Sequence, residues 1–76
     1  MSWLTFVEVH DTGKTKVWDV RNAENGSLLG QVRWHGAWRQ YVYSTAADVV
    51  WNPACLDELA AFIRDQMAAR RSRAAV

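Results

Sequence analysis

The sequence predicts an α+β fold, in which an antiparallel sheet built from consecutive hairpins carries one C-terminal helix on one face. Two observations support this prediction. The first half is rich in β-branched and aromatic residues, and turn residues such as Gly13, Gly26 and Gly36 divide it into short runs. The last third opens with Asn52-Pro53 and then repeats apolar residues at helical spacing. A helix packed on a sheet buries both apolar faces.

The length of 76 residues predicts a single domain spanning 1–76, with an ordered core from about residue 3 to 69 and a basic, frayed tail at 70–76. A chain this short buries only about 60% of its unfolded surface, so its core is thin. One helix over one sheet can hardly enclose five tryptophans, two phenylalanines and two tyrosines. We therefore expect one or two tryptophans to be exposed.

The first two strands are expected at Trp3–His10 and Thr15–Arg21, joined by the three-residue loop Asp11–Gly13. This loop brings complementary residues together on neighbouring strands. The expected pairs are Phe6 with Trp18, Leu4 with Val20, and Glu8 with Lys16.

The third strand follows the turn at Asn25-Gly26, for which two loop lengths are compatible with the sequence. A two-residue loop sets Gln31 opposite Val20, whereas a three-residue loop sets Gly30 there. We prefer the longer loop because it keeps the apolar residues on one face, with Gly26 in a left-handed conformation. That face holds Leu28, Gly30, Val32 and Trp34, and the other holds Leu29, Gln31 and Arg33.

The fourth strand, Arg39–Ser44, also allows two registers. A three-residue loop sets Arg33 opposite Arg39, a like-charge pair. A four-residue loop, His35–Trp38, avoids that pair and leaves Trp38 at the hairpin tip. We prefer it because aromatic cover stabilises a glycine within a strand. Its expected pairs are Tyr41 with Val32 and Tyr43 with Gly30.

The helix is expected to run from Pro53 to about Ala69, with Asn52 as its N-cap. Before it, Val49–Trp51 forms either a short fifth strand or a simple lead-in. The expected apolar stripe of the helix contains Cys55, Leu56, Leu59, Phe62, Ile63 and Gln66. The expected core contains Phe6, Trp18, Val20, Val32, Trp34, Tyr41, Tyr43, Leu59, Phe62 and Ile63.

Net charge, cysteine content and hydropathy indicate the cellular compartment of the protein and the classes of partner it can bind. The net charge of +1 provides no strong field toward nucleic acid, and the local exception is the tail with Arg70, Arg71 and Arg73. The single cysteine, Cys55, cannot form an intramolecular disulfide and fits a reducing compartment. The sequence shows neither a signal peptide nor an apolar run of the ~20 residues that span a bilayer. We expect a soluble, cytoplasmic protein with no membrane partner.

No residues in the sequence form a convincing catalytic or metal site. Cys55 lies near the helix start, where a thiol pKa can fall, but it also lies on the apolar stripe, which is typical of structural cysteine. The two histidines, His10 and His35, are far apart, and no Cys/His/carboxylate spacing suits zinc. No carboxylate pair suits acid–base catalysis. We expect no enzyme activity, no metal and no cofactor.

Arg33, His35, Trp38 and Arg39 form a candidate binding site at the tip of the central hairpin. Three interpretations remain open. Trp38 could fold over the core edge with Arg39 stacked on it. Alternatively, these residues could bind a protein, since Trp and Arg are frequent hot-spot residues. They could instead bind nucleic acid with help from the tail arginines Arg70, Arg71 and Arg73. The near-neutral charge favours a protein partner.

A homodimer is a further expectation, through the sheet face that the helix leaves uncovered. That face is expected to mix apolar residues with charged and polar ones. The apolar members are Val7, Val9, Val17 and Leu29, and the others are Asp19, Arg21, Gln31 and Arg33.

A set of residues between Lys14 and about Met67, many of them aromatic, has a characteristic spacing along the chain. They are Trp18, Leu29, Gly30, Trp34, Trp38, Arg39, Tyr41, Tyr43, Cys55, Leu56, Phe62 and Ile63. This pattern resembles a family of small uncharacterised proteins of bacteria and their phages, with Leu59 where isoleucine is usual. The resemblance implies a hairpin sheet with one helix and a mobile-element origin. Small phage proteins of this size are often inhibitors that act by binding, so it also implies an anti-CRISPR-like inhibitor of a host defence complex.

Overall fold

The structure, a computed structural model, describes residues 2–74, with side chains as far as Ser72. Four strands form one antiparallel sheet in sequential order. They are β1 (Leu4–Asp11), β2 (Lys16–Asn22), β3 (Leu28–His35) and β4 (Gln40–Thr45). The helix α1 (Pro53–Ala74) packs on one face, so the predicted α+β fold is confirmed. Val49–Trp51 leads into the helix and adds no fifth strand.

The β1–β2 loop has four residues, Thr12–Thr15, rather than the predicted three, because Asp11 pairs with Lys16. Thr12 N donates to Thr15 O at 2.9 Å, and Asp11 Oδ1 accepts a hydrogen bond from Gly13 N at 2.8 Å. Gly13 has a φ of 90°, which glycine adopts without the steric cost that a Cβ would bring. The turn therefore combines an Asx-type contact with a left-handed glycine.

The longer loop and a β-bulge after Glu8 shift the register of β1 on β2 by two residues from the predicted one. Phe6 lies opposite Val20 instead of Trp18. Between Leu4 and Glu8, a shift of two residues leaves each side chain on its predicted face, so Phe6 and Trp18 still contact the core. Glu8 and Lys16 still form an ion pair of 3.0 Å, although they lie diagonally across the two strands.

The register of β3 on β2 is as predicted, with Trp18 opposite Val32 and Val20 opposite Gly30. Gly26 is left-handed, with a φ of 75°. A β-bulge then makes Leu29 an extra residue, since Arg21 pairs with Leu28. The bulge exposes Leu28 and turns Leu29 against the core, the reverse of the prediction for both residues. Leu28, and not Leu29, is therefore the exposed leucine of this strand.

The β3–β4 loop has the predicted four residues but consists of Gly36–Arg39, one residue further along. This displacement moves the register by two residues, so Tyr43 lies opposite Val32. Tyr41 is buried and Tyr43 is half-buried, as expected for the apolar face. The Tyr43 ring and the Ser44 carbonyl fill the space above Gly30, so the predicted aromatic cover is present.

Asn52 caps the helix start as predicted. Its Oδ1 accepts a hydrogen bond from Cys55 N at 2.8 Å, and its carbonyl accepts one from Leu56 N at 3.1 Å. The other end of the helix differs from the prediction, because α1 continues past Ala69 to Ala74. Alanine and arginine are strong helix formers, and cations favour a helix C-terminus.

The core joins both layers, and all ten predicted core residues belong to it. Phe6 of β1 stacks on Phe62 of α1 with ring centroids 3.9 Å apart. Trp18 meets Phe62 and Tyr41 edge-on, at 5.1 and 5.2 Å. On the helix, Met67 also contacts this cluster, whereas Leu56 is exposed despite its predicted place on the apolar stripe.

Glu58 fastens the start of β1 to the helix. Its carboxylate accepts hydrogen bonds from Ser2 Oγ (2.9 Å), Trp3 N (2.9 Å) and Leu4 N (2.8 Å). Partial desolvation opposes ionisation, but the hydrogen bonds from these three residues outweigh it and lower the pKa of Glu58 below its ordinary value. The helix is thereby held across the sheet near its own first turns.

Candidate binding surface at the hairpin tip

The tip of the β3–β4 hairpin presents an exposed indole. Trp38 is 66% exposed, and its ring meets the ring of His35 edge-on at 4.6 Å. The loop is closed by two hydrogen bonds, from Trp38 N to His35 O (3.2 Å) and from Arg39 N to Gly36 O (3.3 Å). Arg39 is left-handed, with a φ of 52°. Trp38 therefore stands out from the tip beside His35 and does not fold over the core edge with Arg39 stacked on it.

Arg33 lies on the sheet face that the helix leaves uncovered. Its Nη2 donates to Gln31 Oε1 at 2.9 Å, and Gln31 Nε2 donates to Asp19 Oδ1 at 2.9 Å. Asp19 also pairs with Arg21 at 3.3 Å. This ladder crosses from β2 to β3 and holds the exposed Arg33 one residue from Trp34 and two from His35. Arg33, His35 and Trp38 thus share one end of the sheet.

The last turns of α1 reach the same end of the molecule. Met67 Sδ accepts a hydrogen bond from Tyr41 N at 3.4 Å, and the Arg70 guanidinium lies 4.1 Å from the centroid of the Trp34 ring. Arg70 is consequently half-buried, whereas Arg71 is exposed. The backbone of Arg73 is helical, and its side chain lies outside the described residues. Arg70, Arg71 and Arg73 thus belong to the helix, beyond its predicted end at about Ala69, and residues 75 and 76 of the predicted tail lie outside the described part.

The charges are unevenly distributed along the sequence. Residues 25–47 and 66–76 contain five cations and no carboxylate, whereas the rest contains four cations and eight carboxylates. The net charge of +1 therefore divides into +5 and −4. We call the residues at the hairpin-tip end of the sheet the cationic end, namely Arg33, His35, Trp38, Arg39, Arg70 and Arg71.

The remaining side chains that could support catalysis or metal binding do not form a site in the described part of the chain. Cys55 is a half-buried free thiol in the first turn of α1. Among residues 2–74, no group of three or more His, Cys, Asp and Glu side chains could hold a metal ion. Burial raises the pKa of Tyr43, whose hydroxyl donates to Leu29 O at 2.8 Å. Within the described part of the chain, no helix combines the length and the apolar character needed to cross a membrane.

The pairing of Trp34 with Arg70 was missed in the sequence, although a signal for it exists. Leu59, Ile63, Met67 and Arg70 continue one helical face beyond Ala69. Extending the apolar stripe by this spacing would have placed Arg70 over the sheet. The contacts of Glu58 with residues 2–4 carry no such signal, because they depend on how the helix crosses β1.

The chain is similar to the uncharacterized 9.3 kDa protein of Acholeplasma phage L2. The two are 32% identical over 71 residues, which cover 91% of this chain and 90% of the phage protein. No protein-family model matches the chain. No solved structure matches it either. Identity at this level over nearly the full length of both chains shows common descent, and the chain belongs to the same family as this small phage protein.

Proposed function

We propose that the protein is a small, non-enzymatic binding protein of phage type that engages a protein partner through its cationic end. The exposure of Trp38 carries this proposal. A side chain that is 66% exposed leaves about two thirds of its contact area in water. At ~25 cal/mol per Å² and ~150–250 Å² per aromatic side chain, roughly 2–4 kcal/mol of burial energy remains for a partner to supply.

The surroundings of Trp38 suit a protein–protein hot spot. Tryptophan and arginine lead the residues that dominate interface energies, and Arg33 and Arg39 are exposed near the indole. The partner surface that fits this arrangement has an apolar slot for the indole and carboxylates around it. His35 supports the indole from within the chain, so part of the conformational cost of ordering Trp38 is already met.

Family membership supports a proposal about the kind of partner. The family includes a small protein of a phage, which supports a phage-type origin. Phage proteins of this size commonly act by binding and blocking a host component. We therefore propose that the partner belongs to a host defence complex, which the protein inhibits in an anti-CRISPR-like manner.

Affinity purification from a bacterial host lysate tests the proposal, with the recovered partner then purified for binding measurements. Trp38→Ala should weaken the measured affinity by about 2 kcal/mol or more, because it removes a central aromatic anchor. Val50→Ser is the matched control, since Val50 is also highly exposed but lies outside the cationic end. Cys55→Ser should leave binding unchanged if no thiol chemistry is involved. Equal affinity of the wild type and Trp38→Ala would refute the site.

The second candidate function is binding to nucleic acid through the cationic end. The observation that favours it is the concentration of five arginines without a carboxylate in residues 25–47 and 66–76, four of which belong to the cationic end. Arginines on such a surface bind phosphates by counterion release, and an exposed indole can stack on a base. A gel shift with single- and double-stranded DNA at physiological salt tests this function. Binding that Arg71→Ala weakens, and that falls steeply between about 50 and 200 mM salt, would favour nucleic acid over protein.

A further inference from the structure

The end of the sheet opposite the hairpin tip carries a cavity of 420 Å³. Its walls come from two segments that the fold brings together, namely Ser2 and Trp3 on one side, and Asn22, Ala23 and Glu24 on the other. Ala23 N donates to Trp3 O at 3.0 Å, which joins the segments beside the cavity. Trp3 is 49% exposed, so its indole is available as a wall for a ligand. The volume lies within the ~300–1,000 Å³ typical of ligand pockets.

The polar groups of this cavity leave one carboxylate unused. Ser2 Oγ is engaged with Glu58 and with Leu4 O. Asn22 Oδ1 accepts hydrogen bonds from Glu24 N (2.8 Å) and Asn25 N (3.2 Å). The Glu24 carboxylate makes no ion pair with any described residue, and the described lining contains no lysine or arginine. The wall therefore combines an indole face with a free negative charge.

We propose that this cavity is a second binding site, which takes an arginine side chain presented by a partner protein. The guanidinium would stack on the indole of Trp3 while its N–H groups donate to the carboxylate of Glu24. A planar guanidinium can satisfy both contacts at once, whereas the compact, strongly hydrated ammonium of lysine stacks less well. The chain already contains the stacking contact, since Arg70 lies 4.1 Å from the Trp34 ring centroid.

Charge and position support this assignment. Glu58 accepts hydrogen bonds from Ser2 Oγ and Trp3 N, so a second carboxylate lies beside the cavity and favours a basic partner surface. The molecule is 38 Å long, and the cavity and the cationic end lie at opposite ends of the sheet. The cavity is therefore independent of the hairpin tip, and the chain could contact two surfaces simultaneously. This proposal does not depend on the function proposed for the cationic end, and each can be tested without the other.

The test uses ¹⁵N-labelled full-length protein titrated with an arginine capped at both termini. The readout is the backbone amide of Ala23, whose hydrogen bond to Trp3 places it at the cavity. We expect saturable shifts at millimolar concentrations of the probe, confined to the cavity residues. The capped citrulline, a neutral isostere, should shift the same amide at least about threefold less at equal concentration, because it cannot form the charge pair.

Matched variants separate the cavity from the rest of the surface. Glu24→Gln should weaken arginine binding about two- to fivefold, as expected for a solvent-accessible ion pair. Trp3→Leu, which keeps an apolar wall without a π-face, should weaken it by a similar or greater factor. Trp38→Leu and Asp57→Asn change an indole and a carboxylate elsewhere and should leave the titration unchanged.

Four outcomes would overturn the proposal. Equal binding of arginine and citrulline would remove the role of Glu24, and equal binding of arginine and capped lysine would remove the preference for a guanidinium. Shifts spread over the cationic end would show that the probe has no defined site at the cavity. If Glu24→Gln instead abolished self-association in sedimentation without affecting the probe, the occupant would be a second copy and not a partner's arginine.

Discussion

The guanidinium of Arg70 lies over the indole of Trp34, with its central carbon 4.1 Å from the ring centroid. This contact joins the last turns of α1 to the end of β3 and orders a segment that composition alone marked as a tail. It also separates two adjacent arginines by role, because Arg70 is half-buried on the sheet and Arg71 is exposed.

The two neighbouring arginines form a matched pair for a stability measurement. Arg70→Ala should lower the free energy of unfolding by about 1 kcal/mol, through loss of the cation–π contact and of the packing of its aliphatic stem. Arg71→Ala should change it by less than about 0.5 kcal/mol, as exposed substitutions usually do. Urea denaturation of both variants measures this difference. Equal effects would mean that the Trp34 contact does not stabilise the helix end.

Glu58 makes stability depend on pH, and the direction follows from its lowered pKa. A carboxyl whose pKa is lower in the folded state stabilises fully above its ordinary value of 4.5 and loses that contribution as the pH falls through the folded value. Glu58→Gln should therefore cost about 1 kcal/mol at pH 7, allowing for solvent screening, and progressively less below pH ~4.5. Urea midpoints of both proteins across this range test the prediction.

Asp57→Asn is the control for this pH dependence, since Asp57 is the adjacent, exposed carboxylate on the same helix. Its replacement should change the free energy of unfolding little, both at pH 7 and below pH ~4.5. A difference between wild type and Glu58→Gln that stayed constant down to pH 3 would contradict the assigned role of the ionised carboxylate.

Gly30 should tolerate no side chain. A Cβ at this position would overlap the Ser44 carbonyl and the Tyr43 ring, and the backbone carbonyl cannot move aside cheaply. Gly30→Ala should therefore destabilise the protein by about 2 kcal/mol or more. Gly36→Ala is the control, since a Cβ there meets nothing within 4 Å. Thermal unfolding that gave the same midpoint for both variants would show that the sheet adjusts around Gly30.

Binary pattern explains why the faces of the strands were predictable and two of the three registers were not. Phe6, Trp18, Tyr41 and Tyr43 reach the core because alternation fixes the face of each strand residue. A register shifted by two residues preserves that alternation, so the pattern cannot distinguish Val20 from Trp18 as the partner of Phe6. The deciding features were the length of the β1–β2 loop with its neighbouring bulge and the position of the β3–β4 loop, and both depend on local turn geometry.

The candidate surface was only partly predictable for a related reason. Trp38 could be placed at the hairpin tip from its position in the loop, and its exposure follows from that position. That α1 reaches the same end of the sheet depends on the length and direction of the helix, which the sequence pattern did not determine. The contact between Arg70 and Trp34 was therefore not predicted. The cavity at Trp3 and Glu24 depends on two segments about twenty residues apart that meet through Ala23.

The last prediction separates the two kinds of contact proposed for the cationic end by their kinetics. An exposed arginine at an interface rim mainly steers association, whereas a central aromatic anchor mainly holds the complex together. With the purified protein partner, Arg39→Ala should reduce the association rate and weaken its dependence on salt, with little change in dissociation. Trp38→Ala should instead raise the dissociation rate, by about 30-fold for a loss of ~2 kcal/mol.

Both variants should keep the wild-type unfolding midpoint, because both side chains are exposed. Surface plasmon resonance at two salt concentrations measures the association and dissociation rates of both variants and of the wild type. If Trp38→Ala changed only the salt-dependent association rate, the indole would not be buried in the complex, and the cationic end would act through its charge alone.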